Sequence, residues 1–66
     1  MKKVYIAMIE RSEIGKAIFG SNARMVYFTS RKEAQKFINR LDVYEEGHID
    51  IENVTEDIYA KIDFCA

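Results

Sequence analysis

The feature that most constrains this chain is a helix start followed by an apolar stripe. Ser30 and Glu33 have capping-box spacing. The serine oxygen takes the amide proton at position 33, and the glutamate reaches back to the amide at position 30. Ala34, Phe37, Ile38 and Leu41 follow at i, i+3, i+4 and i+7, which is one face of a helix over 30–41. That stripe must be buried, and the segments around it read as strands. Residues 2–9 are β-branched and aromatic with no breaker, and both parities are apolar: Val4, Ile6 and Met8 against Tyr5, Ala7 and Ile9. Such a strand is central and covered on both sides. Residues 23–29 form a second strand, with Val26 and Phe28 on one face and Met25 and Tyr27 on the other. Residues 48–54 alternate, with Ile49 and Ile51 inward and His48, Asp50 and Glu52 outward, as on an edge strand with one wet face.

Two stretches leave alternatives open. Over 10–22, Ser12 can cap a short helix carrying Ile14, Ala17 and Ile18 with Gly20 as its stop, or 16–19 can be a short strand; a loop with some helix is the preferred reading. Over 55–66, Thr55 can cap a helix, but Ile58, Ala60, Ile62 and Phe64 also alternate as a strand would; helix is preferred because Glu56 and Asp57 fall in its first turn. Residues 43–47 read as a loop turning at Gly47. The expected fold is therefore α+β. It is one domain over 1–66, a small antiparallel sheet of three or four strands with the 30–41 helix packed on one face.

This layout, with its Phe28-Thr29-Ser30-Arg31-Lys32-Glu33-Ala34 entry into the helix, resembles many short bacterial and phage reading frames. The resemblance covers 2–54 as a pattern. It implies an α+β sheet with one packed helix and a gene on a phage or mobile element, and it transfers no functional residue.

Sixty-six residues bury only about 60% of the surface their unfolded chain exposes, so such a domain leans on a crosslink, a metal, a partner or close packing. Cys65 is the single cysteine, which excludes an internal disulfide, and with His48 it falls short of the four ligands of a structural zinc site. No cofactor or metal is expected. No run is long enough for a membrane span or a signal peptide, and a cytoplasmic setting follows. Catalysis is poorly supplied, because one His and one near-terminal Cys lie far apart in sequence. The expected reading is not an enzyme.

What remains is surface. Residues 1–41 hold nine of the ten Lys and Arg against three acids, and residues 42–66 hold one against eight. On the helix, Lys32, Lys36 and Arg40 recur at i, i+4 and i+8 beside Arg31. This row is either a plain solvated face or is neutralised by the chain's own acidic half, an acidic partner or nucleic-acid phosphate. The acidic half, from Asp42 to Asp57, can in turn meet a basic partner, as a nucleic-acid mimic does. Apolar residues make the last candidate. If the helix covers Val4, Ile6, Val26 and Phe28, then Tyr5, Ile9, Met25 and Tyr27 form a second face. That face is covered by Ile58, Ile62 and Phe64 of the tail, by a second copy, or by a target. The preferred function is a non-enzymatic protein-binding module, an inhibitor or accessory factor, self-associating as a homodimer through Tyr5, Ile9, Met25 and Tyr27. The alternative is nucleic-acid binding through Arg31, Lys32, Lys36 and Arg40.

Overall fold

Three strands and three helices alternate along the chain in the computed structural model, which describes residues 1–65. They are β1 (Lys2–Arg11), α1 (Glu13–Phe19), β2 (Ala23–Phe28), α2 (Arg31–Asn39), β3 (Glu45–Val54) and α3 (Glu56–Lys61). The sheet is antiparallel in the order β2-β1-β3, so β1, apolar on both parities, is the central strand. Residue 66, the end of the expected tail, lies outside the described residues.

Each helix starts on a hydroxyl cap. The Gly15 amide donates to Ser12 Oγ at 3.3 Å, the Glu33 amide to Ser30 Oγ at 3.2 Å, and the Ile58 amide to Thr55 Oγ1 at 3.4 Å. The stretch 10–22 thus takes its helical alternative, and α1 stops at Gly20, whose φ of 82° suits glycine. The tail takes its helical alternative at 56–61.

Register decides the faces. β1–β2 pairing sets Tyr5 opposite Phe28, Ala7 opposite Val26 and Ile9 opposite Arg24, so odd positions of β1 share a face with even positions of β2. β1–β3 pairing sets Tyr5 opposite Ile51, Ala7 opposite Ile49 and Ile9 opposite Gly47. α2 covers this face. Ala7, Ile9, Phe28 and Ala34 are buried in one cluster, with Tyr5, Val26, Phe37, Ile38, Leu41 and Ile49 packed around it. The expectation that the helix covers Val4 and Ile6 is therefore corrected: it covers Tyr5, Ala7 and Ile9. Gly47 is not a turn either, because β3 already runs through it. A Cβ there would meet the Met8 carbonyl oxygen at 3.0 Å and Ile9 Cγ1 at 3.3 Å, so glycine lets β3 lie close against Met8 and Ile9 of β1.

The opposite face carries Val4, Ile6 and Met8 of β1 and Met25 and Tyr27 of β2. The chain's end covers half of it. α3 begins where β3 ends, beside Lys2, and the tail crosses to the outer edge of β2. There the Cys65 amide donates to the Tyr27 carbonyl at 2.8 Å. Tyr59 packs on Phe64 with centroids 4.9 Å apart, Lys2 Nζ lies 5.5 Å over the Tyr59 ring, and Val4 is 1% exposed. The cover comes from Tyr59, Ile62 and Phe64; Ile58, expected in that role, points to solvent.

The result is long and thin, 40 × 20 × 17 Å. Its radius of gyration of 13.1 Å exceeds the ~11 Å of a compact chain of this length. Its 4836 Å² of accessible surface exceeds the ~4,300 Å² typical of a monomer of this mass. Both excesses reflect the elongated shape.

A half-open sheet face as candidate docking site

The uncovered half lies at the far end of the second face from α3. Met8 of β1 sits between Met25 of β2 and His48 of β3, its partners across the two ladders. Met25 is 51% exposed, and Ile6, Met8 and Tyr27 are half-buried. Met8, Glu10, Ala23, Met25 and His48 rim a shallow hollow of about 330 Å³. Methionine suits such a surface because its unbranched thioether adapts to an incoming shape.

β3 adds charge to the same face. Because β1 and β3 pair even with even, Glu46, His48, Asp50 and Glu52 stand beside Glu10, Met8, Ile6 and Val4. The wet face of β3 and the open apolar strip are therefore one surface, an apolar floor with a carboxylate row along one side. His48 Nε2 lies 3.8 Å from Asp50 Oδ1, both exposed. No group of three metal-ligating side chains occurs among the described residues.

The four residues expected to form one partner face do not. Tyr5 packs into the α2 core and Ile9 is 2% exposed there, whereas Met25 and Tyr27 lie on the other side of the sheet. The reason is the odd–even pairing of β1 with β2. Ile6 and Met8 take the vacated places. Sequence reasoning missed them because β1 and β2 are joined by a helix, not by a tight turn whose type fixes the register.

The basic residues lie on the opposite side of the molecule. Arg31, Lys32 and Lys36 flank Gln35 and Asn39 on the exposed surface of α2, and Arg40 is its C-cap. Lys36 Nζ pairs within the helix with Glu33 Oε1 at 3.6 Å. Among the described residues no ion pair joins α2 to the acidic half of the chain; the one cross-strand pair is Arg24 to Glu45 at 3.4 Å. The sheet stands between the basic row and Glu46, Asp50 and Glu52, while Glu45, on the α2 side, pairs with Arg24 and not with the row.

Comparison with protein-family models, curated proteins and solved structures finds no match, so the reading of this face rests on its geometry. No helix among the described residues is long and apolar enough to cross a membrane.

Proposed function

We propose that the chain is a small non-enzymatic protein-binding module, an inhibitor or accessory factor. Its docking surface is the open half of the second sheet face. The observation that carries this reading is the exposed Met25 beside Met8, Ile6 and Tyr27, flanked by Glu46 and Asp50. The partner this surface fits brings apolar side chains to the floor and Lys or Arg to the rim. A second copy fits it poorly, because it would bring the same carboxylates. Like charges facing across an interface cost affinity. A reducing, cytoplasmic setting accords with the lone, exposed Cys65.

The test is comparative capture from extract of the cells that express the protein, read by mass spectrometry. The wild type retains a protein that Met25→Asp loses. Glu46→Lys with Asp50→Lys also loses it, while Lys32→Glu with Lys36→Glu keeps it. A captured set unchanged by the first two variants overturns the reading.

A second reading rests on the opposite side. Arg31, Lys32 and Lys36 stand in water without a carboxylate from β3 or α3, a geometry that suits phosphate. It requires binding of duplex or single strands that weakens steeply with salt and disappears in Lys32→Glu with Lys36→Glu. No shift at low salt removes it.

A further inference from the structure

The densest exposed apolar surface is not on the sheet but at its end. Ile14, Ile18, Phe19, Val43 and Tyr44 are between 37% and 67% exposed, and all lie on α1 or the loop before β3. At 100° per residue, Ile14, Ile18, Gly15 and Phe19 occupy one continuous arc of α1, and Glu13 and Lys16 stand opposite as an ion pair at 3.9 Å. Half of that arc is docked. A Cβ on Gly15 would lie 2.1 Å from the Tyr44 carbonyl oxygen, and the Phe19 ring meets Tyr44 edge-on at 5.5 Å. Ser12 ties helix and loop together, its hydroxyl donating to the Val43 carbonyl at 2.6 Å and its amide to that of Tyr44 at 3.0 Å. Arg11 Nη1 donates to the Phe19 and Gly20 carbonyls at 2.6 and 2.9 Å, which holds the last turn. Ile14 and Ile18, the other half of the arc, face water from a rigid platform.

We propose that two copies of the chain associate end to end through this platform, with Ile14 and Ile18 of each at the centre and Phe19, Val43 and Tyr44 around them. Two quantities select a second copy. Five side chains about half exposed offer on the order of 500 Å² per copy, in the upper part of the range for the largest apolar patch of a soluble monomer, where such patches are often functional. Two such patches reach about 1,000 Å², the lower bound for a specific interface. Charge does not oppose it: Arg11, Asp42 and Glu45 stand beside Phe19 and Tyr44, and Glu45 is paired with Arg24, so Arg11 and Asp42 are left as one charge of each sign. The carboxylate row that disfavours a self-contact on the sheet face is absent here.

The proposal is independent of the sheet-face reading, and one experiment keeps the two apart. Sedimentation equilibrium of the full chain over a concentration series should show a monomer–dimer equilibrium. Ile18→Lys should weaken it at least tenfold, as should Val43→Lys, which changes the loop and leaves the helix intact. Met25→Asp should leave it unchanged. A monomer at every concentration up to millimolar overturns the proposal, as does a dimer lost in Met25→Asp and kept in Ile18→Lys and Val43→Lys.

Discussion

The face assignment makes a sharp demand on two residues of opposite position, Ile9 and Met25. Ile9 is 2% exposed under α2, with Gly47 across the ladder. Ile9→Val removes one methylene and should cost about 0.5–1.5 kcal/mol; Ile9→Ala leaves a cavity and should cost about 2–5 kcal/mol. A chain of 66 residues holds only about 3–10 kcal/mol in total, so the alanine variant approaches the limit of folding and the valine variant is the quantitative probe. Met25 already has half its surface in water. Burying a whole methionine is worth about 1.5–3 kcal/mol, so Met25→Ala forfeits less than about 1.5 kcal/mol. Urea denaturation reads both. With a slope near 1 kcal/mol/M, Ile9→Val lowers the midpoint by about 0.5–1.5 M. Asp at position 25, in contact with water, leaves the protein folded. The reasoning is refuted if Ile9→Val is neutral while Met25→Ala lowers the midpoint more. That outcome means the odd positions of β1 face out.

Other perturbations have definite outcomes. Gly15→Ala drives a Cβ into the Tyr44 backbone, an overpacking of about 1–3 kcal/mol; thermal unfolding should drop by at least about 5 °C, and an unchanged midpoint means α1 does not dock on the loop. Removing residues 62–66 uncovers Val4 on the second face, and urea should detect a loss of at least about 1.5–3 kcal/mol; an equal midpoint means the tail covers nothing. Ser30→Ala should cost about 0.5–2 kcal/mol at the start of α2, and Ser30→Asn should restore most of it in the same assay.

How far the sequence could be read follows from the range of each interaction. The Ser30 cap is local and forms, although the Glu33 side chain pairs with Lys36 and not with the Ser30 amide; the stripe forms over Ala34, Phe37 and Ile38, with Leu41 just past the end of α2. Parity within each strand is local too, so Val26 with Phe28 and Met25 with Tyr27 separate as expected. Register between strands is not local. Nothing between Arg11 and Ala23 says which residue Tyr5 will face, and one step of slip exchanges every side chain between faces. That single unknown put Tyr5 and Ile9 on the docking surface and left Ile6 and Met8 off it. Gly47 misled for a related reason: glycine marks turns, but here it marks close approach of Met8 and Ile9 of β1. The acidic alternation of β3 was legible, whereas its place beside the methionines needed the ladder to β1.

Photo-crosslinking in the cells that express the chain shows whether the half-open sheet face docks a protein. A crosslinking phenylalanine analogue is placed at position 25 on the open face, or at position 35 among the basic residues of α2. Irradiation at position 25 should give a discrete heavier band that is not a doubled chain, lost when Glu46→Lys and Asp50→Lys are added, with no such band from position 35. Bands from position 35 alone, or from neither position, mean that the sheet face docks no protein.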